Sequence, residues 1–568
     1  MARRYNAEEA LRLIMDPDSE ESAPSSGDES YTSSEEETEE QESGSDSYGS
    51  ESESESGEEE SAGWISKNGT RWSPTNAETF RYVPAATGRT GPTLYALARI
   101  SDPLSSFSLF LTDDIIQHIV SMTNLQGRRA MADWRDVDSD ELHAYVGLII
   151  LAGVYRSRNE ATISLWSKKS GRVIFRATMS EKRFRHITRA VRFDDRLARP
   201  THSDDKLGPF RKIWDMWTHR LEMMFLPNKD ICVDEQLVRF KGRCSFRQYM
   251  PIKPGRYGLK VWAVCDVETS YAWRLQLYTG KAATGRAETN QGMRVVLELT
   301  EGLQGHSVTC DNFFTSYPLS VELLRRTNTL VGTIRKNKPE LPPELLQTRG
   351  RGVFSSVFAF TSTHTAVSYV PRRGKNVLLL SSKHRTPGIC DGPKRKPHII
   401  RDYNRCKGGV DKLDQAVNDY SCRRRTRRWL LALFHHLLDI SLYNGYVLWT
   451  AVDPAWQRNK GYRRRVYIEQ VGEALVQPCI ARRERLPRSV LTAEFVRQAQ
   501  AAASPDAADP SPDAADPSPG PSAAIKPKLR RQCQLCRGKR KRVYSVCHKC
   551  GNVTCRDHSL TTCRNCST

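Results

Sequence analysis

Three segments, ICVDEQLVRFKGR, SVTCDNFFTS and KGGVDKLDQ, each set an aspartate where phosphoryl-transfer chemistry needs one. They carry Asp234, Asp311 and Asp411, with Asp414 one helical turn after the third. Carboxylates are preferred ligands of magnesium and manganese. Three of them converging on two ions can activate a water or hydroxyl and stabilise the leaving oxygen of an in-line displacement. Gaps of 77 and 100 residues mean that only a large fold can bring the three together. Asp411 and Asp414 are spaced i, i+3, so both can face one site from a helix, and the sequence ranks neither above the other. A scattered trio among 66 acidic residues is by itself ordinary for salt-bridging surface carboxylates.

A second ligand set closes the chain. Its spacing is C-x2-C-x10-C-x2-C-x4-C-x2-H-x4-C-x2-C, from Cys533, Cys536, Cys547, Cys550, Cys555, His558, Cys563 and Cys566. Eight such ligands supply two tetrahedral zinc sites, in a stretch too short to fold on an apolar core. Their order suggests a cross-brace: Cys533, Cys536, Cys555 and His558 on one ion, Cys547, Cys550, Cys563 and Cys566 on the other. Sequential pairing is the alternative. Seven of the 15 cysteines fall in these last 36 residues, and no secretory signal opens the chain. That suits a reducing compartment and metal binding, not a disulfide scaffold.

The elements that must position the aspartates change character along the chain. Residues 108–225 read as helices: Thr112 before DDIIQHIVSM, Ser139 before ELHAYVGLIILAGVY, Ser180 before EKRFRHITRAVRF, and an apolar helical stripe at Ile213, Met216, Trp217, Leu221 and Met224. Then ICVDEQLV, LKVWAVCDV, YAWRLQLY, SVTCD and TLVGTI read as strands, with a helical NQGMRVVLELTEGL before the fourth. Strand, strand, strand, helix, strand, helix, strand is the order of a ribonuclease H-like α/β fold, with Asp234 on the first, central strand and Asp311 at the end of the fourth. From about residue 338, GVFSSVFAF, HTAVSYV and NVLLLSS form a β-rich insertion. The segment YNRCKGGVDKLDQAVNDYSC reads as one returning helix. WLLALFHHLLDISLYNGYVLW is apolar but holds His435, His436, Asp439 and Asn444, so it is expected to be a buried helix and not a membrane span.

Charge is divided sharply. Residues 1–62 hold 21 Asp/Glu against 3 Arg, while the remainder carries 83 basic and 45 acidic residues. The acidic Ser/Glu run has almost nothing to bury and is expected to be disordered, a solvating tail or an autoinhibitory mimic of DNA. So basic a body matches a polyphosphate. GTIRKNK offers Arg335 and Lys338, and SCRRRTRRW offers Arg423, Arg424, Arg425, Arg427 and Arg428 for phosphate contacts, with a solvated basic face as the plain alternative. The repeat SPDAADP (504–510, 511–517) marks an extended tether, and the KPKLRRQ and CRGKRKR runs beyond it suit DNA or a nuclear import signal.

The three aspartate segments, together with RFDDRLARPTHSDDKLGPFRKIWD, GTIRKNKPE and RRWLLALF and the cysteine-rich tail, closely resemble the piggyBac family of cut-and-paste DNA transposases. The resemblance implies magnesium- or manganese-dependent strand cleavage and joining at TTAA sites, two catalytic ions on Asp234, Asp311 and Asp411, and two structural zinc ions. It ties Arg335, Lys338 and Asp414 to target joining and lets Trp429 stack on an unpaired base near the cleavage site. It also implies a nuclear homodimer acting on double-stranded transposon ends, with no membrane partner. The expected domains are an acidic region (1–80), a helical dimerisation and DNA-binding domain in two parts (81–228 and 423–499), a catalytic domain in two parts (229–337 and 398–422), the β-rich insertion (338–397), a Pro/Ala linker (500–525) and the zinc module (526–568). The alternative is a domesticated descendant that binds DNA or chromatin without cutting it.

Overall fold

The structure is a computed structural model that describes residues 63–76, 88–199, 205–251, 253–280 and 288–503, and a ribbon of Arg531–Gln532 with Arg542–Val543. The chain divides into two compact units, Met1–Ser504 and Pro505–Thr568. The acidic tail and all eight cysteine and histidine ligands of the expected zinc module lie outside the described residues.

In the first unit, apolar alternation and β-branched runs produce one nine-stranded sheet. Its strands in chain order are β1 (Asp230–Arg239), β2 (Tyr257–Asp266), β3 (Ala272–Leu277), β4 (Ser307–Cys310), β5 (Thr329–Thr333), β6 (Ser356–Phe360), β7 (Thr365–Arg372) and β8 (Lys375–Ser381), plus the two-residue Gln248–Tyr249. Helix α1 (Gln291–Leu299) precedes β4 and α2 (Tyr317–Arg325) links β4 to β5. The order across the sheet is β6-β7-β8-β5-β4-β1-β2, with β3 and the short strand also paired to β2. Strands β1, β4 and β5 run parallel, whereas β2 pairs antiparallel with β1 and β3 antiparallel with β2. The three strands of the expected insertion extend this sheet through antiparallel pairing of β8 on β5.

Residues 403–422 do not form one helix. Helix α3 (His398–Cys406) stops at Lys407, and α4 (Gly409–Asp419) begins after Gly408. The interruption has a packing cause: Gly409 sits so close to β1 that an added Cβ would lie 2.9 Å from that of Cys232. The Cys232 thiol donates to the carbonyl of Lys407 (3.2 Å) at the same place.

Helices before and after the sheet segments pack together. Ser139–Val154 lies against Arg463–Ala481, where a Cβ on Gly147 would meet the Gly472 carbonyl at 2.8 Å. The cap of Ser139–Val154 is Asp138, not Ser139: its carboxylate accepts from Glu141 N (2.8 Å). Ser180 caps Glu181–Ala190 as expected, whereas Thr112 occupies the cap position of Asp113–Ala130 without a side-chain bond. Helix α5 (Trp429–Val452) is buried along almost its whole length. Asp439, Ser441 and Asn444 are satisfied inside the protein, as burial requires, whereas His435 Nδ1, His436 Nε2 and Trp449 Nε1 are buried without a hydrogen-bond partner among the described residues. Asn444 exchanges two 2.9 Å bonds with the backbone of Ala272 on β3, Ser441 accepts from Trp217 Nε1 (3.0 Å), and Asp439 accepts from Ser421 Oγ and Cys422 N. No described helix is long and apolar enough to cross a membrane. The helix Val490–Ala502 runs into the first residues of the expected 500–525 linker.

Candidate active site

Strand register brings the first two aspartates together. Strands β1 and β4 are parallel, and their last matched pair is Val233 with Cys310. The next residues, Asp234 and Asp311, are therefore neighbours on strands about 4.8 Å apart. On β5 the partner of Cys310 is Gly332, so Thr333 is next beside Asp311. Side chains two apart share a face, which puts Cys232, Asp234 and Gln236 on one side of β1. Helix α4 packs on that side through Gly409. Asp411 lies in its first turn, where the partial positive charge of a helix N-terminus favours a carboxylate, and remains exposed. Asp414, half-buried one turn later, accepts a 2.6 Å bond from Gln236 Nε2.

The electrostatics are those of crowded, partly buried carboxylates. Burial pushes Asp234 well above the usual carboxylate range, and the charges of Glu235, Asp311 and Asp411 add to the effect. Burial, with Glu235, raises Asp311 to about 6 against the bonds it accepts from backbone N–H groups, among them Phe313 (2.9 Å). Burial raises Asp414 to about 7, opposed by Lys253 and by the Gln236 bond. Lys253 donates to the Glu235 carbonyl (3.2 Å). Although its burial disfavours charge, Asp234, Glu235, Asp414 and Asp411 together hold its ammonium pKa up. Lys260 pairs with Glu235 at 3.4 Å. Sequence reasoning missed Glu235, Gln236, Lys253 and Lys260. The only local signal was a second carboxylate and an amide following Asp234.

Among the described residues no group of three or more Asp, Glu, His or Cys side chains is drawn together tightly enough to enclose an ion. The donor set nonetheless fits a hard divalent cation. It is all oxygen, and its mutual repulsion is only partly balanced by Lys253 and Lys260. These raised carboxyls retain protons in the folded state that the unfolded chain releases near pH ~4. The metal-free protein should therefore lose stability as pH rises from about 4 to about 7. Added magnesium should restore it, most at the upper end, in melting curves taken across that range with and without the ion.

The basic elements divide into two kinds. Arg335 and Lys338 are half-buried in the turn that leaves β5, beside the carboxylate end of the sheet. Arg424 donates to the carbonyls of Ser157 and Glu160, and Arg428 to those of Thr188 and Val191. Burial holds Arg428 down at about 10. Arg423 is half-buried, and its pKa is lowered by burial and by Arg239 and Arg158 nearby. Arg425 and Arg427 are exposed. Trp429 opens α5, half-buried, with its ring edge-on to Phe246 at 5.1 Å. Arg428→Ala should thus cost about 1–3 kcal/mol in chemical denaturation, because two carbonyls lose their donor. Arg425→Ala or Arg427→Ala should leave stability unchanged and lower the log–log salt slope of DNA binding by about 1 for each lost phosphate contact.

The transposase IS4 family model matches residues 102–446, more than half the chain and all four aspartates. Human PiggyBac transposable element-derived protein 3 is 27% identical over 398 residues, covering 65% of each chain. Human PiggyBac transposable element-derived protein 2 is 21% identical over 372 residues, covering 61% of each. This chain thus spans a little under two thirds of the length of those relatives. A cryo-EM structure of a piggyBac transposase synaptic complex with hairpin DNA superposes with a TM-score of 0.68 at 33% identity, over 84% of this chain and 100% of that one. The mixed α/β architecture, the family match along the aspartate segments and this structural likeness agree: the chain belongs to the piggyBac family of transposases.

Proposed function

We propose that this chain is an active, metal-dependent DNA transposase that excises transposon ends through hairpin intermediates and joins them at TTAA targets. The observation that carries the reading is the register that makes Asp234 and Asp311 neighbours while α4 brings Asp411 and Asp414 over the same face of β1. The order β3-β2-β1-β4-β5, with β1, β4 and β5 parallel, supports a ribonuclease H-like core. Asp234, Asp311 and Asp411 would hold two magnesium or manganese ions, which supply Lewis acidity at the scissile phosphate and neutralise charge at the leaving oxygen.

In this reading one strand is nicked and its freed 3′-OH attacks the opposite strand, closing a hairpin that is later reopened. Asp414, fixed by Gln236, and Arg335 with Lys338 serve target joining. Arg423, Arg425 and Arg427 hold phosphates, and Trp429 stacks on an unpaired base. DNA binding is supported by the related transposase complex, which contains hairpin DNA. The helices on either side of the sheet segments serve as a dimerisation and DNA-binding domain, the zinc module reads the transposon ends, and the protein works in the nucleus as a homodimer.

The human relatives, named as proteins derived from transposable elements, favour a second reading: a domesticated DNA- or chromatin-binding protein without cleavage. An excision assay on a plasmid carrying the chain's own terminal repeats separates the two. Restored TTAA donor sites support the transposase, and bound but uncut ends support the domesticated form.

A further inference from the structure

The row across the parallel strands does not stop at the carboxylates. Thr333 stands beside Asp311 at the end of β5. Tyr403 on α3 reaches it, with the two hydroxyl oxygens 3.5 Å apart. At that distance the bond is at its outer limit, and both groups keep donor capacity. Helix α3 holds the tyrosine there by packing Ile399 and Ile400 with Val331 and Leu379, against which the ring of Tyr403 also packs. Yet Tyr403 and Thr333 are only half-buried, at the edge where the carboxylates emerge. A ring needed only to fill this small core would be served equally well by phenylalanine. We propose that the Tyr403 and Thr333 hydroxyls form a donor pair that hydrogen-bonds a non-bridging oxygen of the scissile DNA phosphate, next to the site of Asp234, Asp311 and Asp411.

Two features suit the pair to that ligand. Burial raises the phenol above its ordinary range, and the charges of Asp311 and Asp234 reinforce this, so at working pH it is a donor and not a base. Neutral donors also add no charge to a pocket that must accept both cations and phosphate. A hydroxyl bonded to an anionic oxygen is stronger than a neutral pair, and stronger still where water is excluded.

The inference rests on the transposase reading, and the test separates the two. With wild-type protein nicking its own ends, Tyr403→Phe should slow single-turnover nicking about tenfold or more at saturating protein, while the melting temperature is unchanged and end affinity falls by no more than the roughly fivefold that the lost phosphate contact accounts for. Thr333→Val should slow it less, and the double variant more than Tyr403→Phe alone but less than the product of the two single effects, because both hydroxyls donate to the same oxygen. The pH profile should keep its shape. Nicking at the wild-type rate, a fall in melting temperature that tracks the rate, or a lost limb of the pH profile would each overturn the proposal. A binding measurement in metal-free buffer needs no cleavage. Wild-type protein should prefer an end duplex with an ordinary phosphodiester at the junction over one with a methylphosphonate there, roughly fivefold or more, and Tyr403→Phe should erase the preference. The same preference in both proteins overturns the donor pair even if no strand is ever cut. Absence of nicking by the wild type, with the preference intact, counts against the transposase reading alone.

Discussion

Asp234→Asn, Asp311→Asn and Asp411→Asn are each expected to abolish strand cleavage while leaving the fold and end binding in place. Each substitution removes a charged oxygen ligand at almost constant volume, and loss of several kcal/mol of transition-state stabilisation corresponds to a fall of about a thousandfold or more. The structure adds a sign that a merely structural aspartate would not show. Asp234 and Asp311 are disfavoured as charged groups by burial and by each other's neighbours. Neutralising either should leave the metal-free protein as stable as the wild type, or more so, at pH 8. Single-turnover cleavage of labelled transposon ends, with melting curves on the same preparations, checks both halves. Full cleavage by any one variant removes that residue from the site, and a large drop in melting temperature would make it a structural carboxylate. Asp414→Asn, and Arg335→Ala with Lys338→Ala, should impair target joining more than excision. Equal loss of both steps contradicts that division.

Much of this site was legible because its parts are local. An aspartate ending a β-branched run, SVTCD, and a Gly-Gly pair before an aspartate, KGGVD, are visible in the chain. Their geometric relation is not. Asp234 meets Asp311 because a parallel register happens to match their separation, and Asp411 arrives because Gly409 lets a helix touch Cys232. Neither follows from composition. The same limit hid Lys253, whose loop residues give no sign of the carboxylates they face. The run of arginines shows the same limit: by charge all five are alike, candidates for phosphate contact or a solvated face, yet Arg424 and Arg428 bond carbonyls more than 230 residues away in sequence. The cap at residues 138–139 failed for a local reason, since Asp138 and Ser139 are both good caps and only the backbone decides between them. Polar groups in α5 were rightly taken as buried, but their partners lie on β3 and in the 208–224 helix.

Replacing Cys555 or His558 by Ala is expected to release one zinc ion, unfold the C-terminal module and reduce selective binding of transposon ends towards the level of random duplex. A segment of about 36 residues has no apolar core to fall back on, so zinc binding and folding are one equilibrium there. The basic body should continue to bind DNA in a salt-sensitive way, since that attraction needs phosphate and not sequence. It should also stay folded, because the core of the first unit lies within residues 63–503 and is joined to the module through a Pro- and Ala-rich stretch. As a flexible coil, the 26 residues of 500–525 would have spanned about 28 Å. The helix that runs to Ala502 takes the first residues of that range out of the coil. Zinc content, melting of the first unit and competition between end DNA and random duplex at physiological salt measure the three parts separately. A truncation at residue 525 that still selects its own ends would refute the assignment. The module would then be a protein-binding or localisation element, and the sequence-reading surface would have to lie within residues 1–525, with the exposed Arg425 and Arg427 as the first place to test.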